Sequence, residues 1–335
     1  MLRRRPSLAP RLLLAALIAP MLLAAKKVDN AVLQQIDTAY DAAVADPRFE
    51  PGTGPRLCQD EGHHDFHTSE GRFAGFAALM RADGYRVAPL TGRLSARTLR
   101  QCDVLVIANA QPSDAAWEDY PKPTPSAFAP EEVTATRGWV EQGGALLLIA
   151  DHMPLAGAAS AMAGAFGFHF TDGFAIPKAR VHDDGRITIG MPDVFRATDG
   201  GLAAHEITDG RIGGRVSQVA TFIGQAFWAD PGAEPLLVFP EGSVVLFPAK
   251  PWSFDATTPR MPAGGWLQGA TRRVGAGRVA AFGEAAMFTA QIASNKKKMG
   301  LNAPGAEENA RFTRNLMAWL SGVRDGSPDS ATHDP

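Results

Sequence analysis

The stretch DEGHHDFHTSEGR, residues 60–72, gathers three histidines and four carboxylates into thirteen residues. Three chemistries fit these residue types. Asp, Glu and His are ligands for zinc or manganese, and Asp60 with His63 is the metal-ligating candidate. His63 and His67 are four apart, but Gly62 and a helix cap near Thr68 interrupt any helix there, so the helical two-histidine zinc motif does not apply. A carboxylate and an imidazole at a helix N-terminus also form a proton-transferring pair. The helix dipole there favours neutral histidine, the better base or ligand. In the third chemistry Asp60 caps backbone amides and the histidines bond loop carbonyls. The segment alone leaves all three open.

The elements around it decide which residues can meet. A short strand at 56–59 precedes the segment. A helix follows it, capped by Thr68 or Ser69 with Glu70 in its first turn. Phe73, Phe76, Leu79 and Met80 fall at helical spacing, and Gly84 ends the helix. A second strand at 85–89 and a short helix at 95–100 lead to VLVIA at 104–108. That run is continuously apolar and reads as a central parallel strand. A long proline-rich loop spans 109–129, the length of a lid or binding loop. Pro130 opens the next helix, with Glu131 and Glu132 complementing its dipole. ALLLIA at 145–150 is another buried strand, with an alanine-rich helix at about 156–166 beyond it.

Residues 168–262 lose this rhythm. They hold short strand candidates at 187–189, 216–222, 236–239 and 244–247, and read as a β-rich elaboration in the second half. A hairpin pairs 266–274 with 278–282, and a last helix covers about 307–320. Alternating strands and helices in the first half predict an α/β fold with a doubly wound, mostly parallel sheet. Ligands of such sheets bind outside the carboxyl ends of the strands. Those ends carry Asp60, Glu61, His63, His64 and His67 after the first strand, Asn109 after 104–108, Asp151 and His152 after 145–150, and Glu284 after 278–282.

The catalytic candidates are therefore His64, His152, Asp151, Glu284 and Glu61, with His64 or His152 as base and Glu284 as the orienting carboxylate. Asn109, Arg72 and His67 are the substrate-binding candidates. Glu284 also has a structural reading, as partner of Arg72 or another arginine, and Arg72 as an ion pair with Glu70 or Asp65. His169, between Phe168 and Phe170, reads as a core residue. Among the remaining histidines, His205 reads as the end of a turn and His182 as part of a charged loop. The chain contains no GxSxG or GxCxG elbow, no GxGxxG after a strand and no Walker loop, which disfavours a covalent serine or cysteine hydrolase and a nucleotide cradle.

Residues 1–25 have the form of a secretory signal. Arg3, Arg4, Arg5 and Arg11 precede an apolar run at 12–23 that is short for a membrane span. An uncleaved N-terminal membrane anchor is the alternative. Without those four arginines the 33 basic residues fall to 29 against 35 acids, a net charge of −6. That balance speaks against nucleic acid as a partner. The expected organisation is a signal at 1–25, a leader at 26–55 with an amphipathic stretch at 31–45, and one α/β domain at 56–322 carrying the insertion at about 168–262. A polar disordered tail follows at 323–335. Export to the periplasm would let Cys58 and Cys102 pair, although two buried thiols is the default reading.

DEGHHDFHT, VLVIAN, WVEQGGALLLIADH and GRVAAFGEAAMF resemble segments of the class I glutamine amidotransferase-like superfamily. In particular they resemble an exported branch related to the trehalose-utilisation (ThuA-like) group and to auxiliary domains of gliding-motility transporters. The resemblance covers roughly 56–320 and implies a flavodoxin-like sheet. True amidotransferases carry a cysteine elbow after a central strand. Here Asp151-His152 stands in that turn, so amidotransferase activity is not expected. ThuA-like proteins commonly place a histidine there, which His152 matches, and are thought to bind or act on sugars. The expectation is thus an exported acid–base or metal-assisted hydrolase-like or isomerase-like enzyme acting on a small molecule such as a carbohydrate, with a divalent metal as the candidate cofactor. The alternative is a non-catalytic ligand- or protein-binding module of a cell-envelope assembly.

Overall fold

A computed structural model describes residues 34–293 and 296–322. The proposed signal segment and the polar tail lie outside the described residues. Nine strands build the main sheet: β1 (Arg56–Asp60), β2 (Arg86–Leu90), β3 (Val104–Ala108), β4 (Ala145–Ile149), β5 (Phe168–Phe170), β6 (Phe227–Ala229), β7 (Glu234–Val238), β8 (Leu267–Val274) and β9 (Gly277–Phe282). Their order is β2-β1-β3-β4-β9-β8-β6-β5, and β7 also pairs with β8. The first five in that order are mutually parallel, while β8, β7, β6 and β5 run antiparallel to their neighbours. Four parallel strands in order 2-1-3-4, with a fifth beyond, form the flavodoxin-like doubly wound sheet.

The parallel strands are central because their sequences leave no polar face. All five residues of β3 and all five of β4 are buried. Val104, Val106 and Ala108 feed one core; Leu105 and Ile107 feed the other. Helices α1 (Ala74–Ala82) and α4 (Asn309–Leu320) cover the first face through Phe76, Leu79, Met80, Phe312, Leu316 and Trp319. Helices α2 (Pro130–Glu141) and α3 (Leu155–Ala165) cover the second through Val140, Ala156 and Met162. Each large apolar side chain fully buried in this way contributes about 1.5–3 kcal/mol.

Several expectations are revised. The helix after the histidine-rich segment starts at Ala74, not near Ser69. The Ser69 amide and hydroxyl are both taken by Glu61 Oε1, at 2.8 and 2.6 Å, and residues 68–73 form tight turns instead. Within the leader, Gln34–Ile36 is a strand paired antiparallel with Ala290–Ala293, and the Arg48 amide donates to Asp83. The segment 187–189 is no strand and makes only a bridge from Ile187 to Val181. Within the β-rich half, β5, β6 and β7 extend the main sheet, whereas Phe174–Ile176, Val244–Leu246 and Arg260–Pro262 form a separate small sheet. His169 is not a core residue: it bonds Asp230 at 2.8 Å and stacks on Trp228 at the sheet margin. Cys58 and Cys102 are joined as a disulfide, not left as two thiols, with Cα atoms 5.6 Å apart. The parallel register of β1 with β3 sets Cys58 opposite Leu105, three residues after Cys102. Among the described residues no helix is long and apolar enough to cross a membrane.

Candidate functional site

Because β1, β3, β4 and β9 are parallel, the residues that follow them emerge at one edge of the sheet. In this strand order the crossover direction reverses between β1 and β3, the position where such sheets bind ligands. Asn109 and His67 meet at that point.

Asn109 is the hub of the edge. Its backbone is left-handed, at φ 59°, a conformation asparagine tolerates better than most residues. Its Oδ1 accepts the Asp151 amide at 2.8 Å, which makes Nδ2 the nitrogen facing His67 Nδ1 at 3.0 Å. The His67 proton is therefore on Nε2, which is buried with no hydrogen-bond partner. Burial, then the charge of Arg72, pushes the His67 pKa down to about 3, so the ring stays neutral. Arg72 lies over the Phe66 ring, its guanidinium carbon 3.8 Å from the ring centre.

Asp151, His152 and Glu284 meet where β4 and β9 end side by side. Glu284 is fully buried. Its two oxygens accept the amides of Ala286 (2.6 Å) and Met287 (2.8 Å), so backbone amides hold it and not the arginine of the alternative structural reading. Burial, and then the Asp151 carboxyl, push its pKa well above the usual carboxylate range. Asp151 is raised as well, by burial, while His152 pulls the other way. Two neighbouring carboxyls out of water cannot both ionise freely, so the pair retains a proton at pH values where exposed acids have lost theirs. His152 donates from Nδ1 to the Met153 carbonyl at 2.8 Å, which leaves Nε2 as the basic nitrogen, 4.0 Å from Asp151 Oδ1. The His152 ring stacks on Phe174, with ring centres 4.3 Å apart, and meets the edges of Trp252 (4.5 Å) and Trp117 (5.8 Å). Trp117 comes from the proline-rich loop and is pinned by its bond to Gln111 Oε1. The loop is anchored in turn by Thr124 on Asp172 and by Lys122 on the Pro248 carbonyl.

The other candidates separate from this group. His63 lies between two carboxylates: Nδ1 is 2.8 Å from Asp60 Oδ2 and Nε2 is 3.1 Å from Glu132 Oε1. Burial opposes a charged ring there, but the two carboxylates outweigh it and raise the pKa of His63. His64 turns outward, half-exposed, to Asp114 at 2.8 Å. Glu61 caps the turn at Ser69. Asp60, His63 and Asp65 have ligand atoms within 4.8 Å of one another, the one group among the described residues with the spacing of a metal site.

Glu132, Asp65, Trp117 and Trp252 complete the two clusters and were missed as site residues. Glu132 is the third residue of α2, where a glutamate normally turns back on its own cap. It does so, bonding the Ala129 amide at 2.9 Å, and also receives the Leu94 amide and His63. Nothing in the sequence announces Trp252. Five described non-glycine residues have left-handed backbones: His64, Asn109, Ile223, Trp252 and Lys296. The first four lie in the segments that build this edge. Backbone strain concentrated in this way is a feature of binding sites.

No protein-family model matches this chain, and no curated protein matches it. Among solved structures, the N-terminal domain of mmIFT52 superposes with a TM-score of 0.54 at 12% identity, covering 83% of this chain and 99% of that one. A ThuA-like protein from Bacteroides uniformis follows at TM-score 0.41 and 13% identity, over 85% of this chain and 94% of that one. A GMP synthase-type protein from Thermoplasma acidophilum matches at 0.39 and 10%, over 80% and 96%. The first likeness supports the fold alone. The other two fall below 0.5 and carry no weight beside the strand order itself.

Proposed function

We propose that this chain is an exported, periplasmic enzyme of hydrolase or isomerase type, related to the ThuA-like branch, with an acid–base site for a carbohydrate or similar small molecule at the strand C-terminal edge. The observation that carries the reading is the meeting of Asp151, His152 and Glu284, with the His152 ring packed against Trp117 and Trp252. A carboxyl pair that retains a proton is a general acid; an imidazole whose Nδ1 is committed to a carbonyl presents Nε2 as a general base. Indole rings beside polar groups suit the mixed C–H and O–H surface of a sugar ring. The Cys58–Cys102 disulfide agrees with an oxidising compartment.

The test is turnover of a saccharide panel by the purified chain lacking residues 1–25, with Asp151→Asn and His152→Gln beside it. The reading requires a substrate whose turnover falls at least a hundredfold in both variants while tryptophan fluorescence still reports binding. Binding without turnover in the parent chain would instead support a non-catalytic module of an envelope assembly. One observation favours that second reading: both Glu284 oxygens are already engaged by backbone amides.

A further inference from the structure

We propose that Asp60, His63 and Asp65 form a site for one divalent first-row metal cation, with Glu132 as the carboxylate that orients the imidazole. This centre lies after β1 and is independent of the Asp151–Glu284 reading.

The first argument is the ligand set. Two carboxylates and one imidazole, with donor atoms within 4.8 Å of each other, match the ligand preference of zinc or manganese. Asp60 is fully buried and His63 nearly so. The second argument is Asp65. Its Oδ2 accepts the His63 amide at 3.1 Å, but Oδ1 is buried and accepts no hydrogen bond. A buried oxygen left in that state is destabilising, and a bound cation would satisfy it. The third is the outer partner. A metal-bound histidine almost always gives its other ring N–H to a carboxylate or carbonyl. His63 Nε2 faces Glu132 Oε1 at 3.1 Å, and that carboxylate is itself fixed by the Leu94 and Ala129 amides. The proton held there leaves Nδ1 as the lone pair, on the side of Asp60. Gly62 permits the close turn: its amide returns to Asp60 Oδ1, and a Cβ would come within 2.6 Å of the Gly92 backbone.

The test uses the tag-free chain lacking residues 1–25, stripped with chelator and titrated calorimetrically with Zn2+ and Mn2+. One equivalent should bind. Asp65→Asn should weaken it at least tenfold and Glu132→Gln by 10–100-fold, with unchanged far-UV circular dichroism. For the parent chain, imidazole 15N spectra should show the His63 Nδ1 resonance shifting on Zn2+ addition, a readout independent of how any variant folds. Absence of binding to the parent, binding undiminished in Asp65→Asn, or bound zinc that leaves His63 Nδ1 unmoved would each overturn the assignment.

Discussion

His63 Nε2 and Glu132 Oε1 lie 3.1 Å apart across 69 residues of sequence, tying the loop after β1 to the first turn of α2. Glu132 holds two backbone amides as well, and burial is opposed at its carboxyl by these donors and by His63, so its pKa lies below the usual range. Glu132→Ala would strand all three donors. The expected loss is about 3 kcal/mol, measured by urea denaturation. Glu132→Gln, which keeps one acceptor oxygen, should lose less.

Asp151 and Glu284 give stability a pH dependence of their own. Both folded-state pKa values are raised by burial, and that of Glu284 also by Asp151. The folded protein therefore holds a proton that the unfolded chain releases at about pH 4. The pair's contribution is full below that pH and is lost as pH rises toward the elevated folded values. Asp151→Asn removes one of the coupled charges. Unfolding free energy measured from pH 4 to pH 8 should fall less steeply in that variant than in the parent.

Cys58 and Cys102, 44 residues apart in sequence, tie β1 to the residues that lead into β3. Reducing this bond should lower stability by about 2–4 kcal/mol, seen as a lower denaturation midpoint with reductant present. Cys58→Ala with Cys102→Ala should reproduce the effect and abolish the response to reductant.

Gly224 packs against the end of β9. A Cβ there would lie 1.9 Å from the Gly283 carbonyl oxygen and 2.9 Å from the Glu284 Cβ. Gly224→Ala must displace that turn, at a cost of about 1–3 kcal/mol. Any ligand-dependent rise in melting temperature found for the parent should be lost with it, because Glu284 moves.

The sequence carried the sheet plainly and the site only in outline. VLVIA and ALLLI have no polar face, so central strands bury them on both sides, and as parallel neighbours their following residues share an edge. The roles inside the DEGHHDFHTSEGR segment were not legible. His63, His64 and His67 look alike in the chain, yet their fates are set by Glu132, Asp114 and Asn109, which are 69, 50 and 42 residues away. Partner choice at that range depends on how loops land after the sheet forms. Trp252 was opaque for the same reason: its place beside His152 depends on a left-handed backbone in an irregular region.

The central claim, a ligand site over Asp151, His152 and Glu284, is tested most directly by the indole N–H resonances of the six tryptophans, assigned by substitution, during titration with saccharides. The account predicts that a binding sugar shifts Trp117 and Trp252 together and saturably, leaves Trp139 and Trp319 in place, and loses its effect in His152→Ala. A panel in which no sugar moves Trp117 or Trp252, or in which shifts appear only at Trp228 and Trp266, would contradict it.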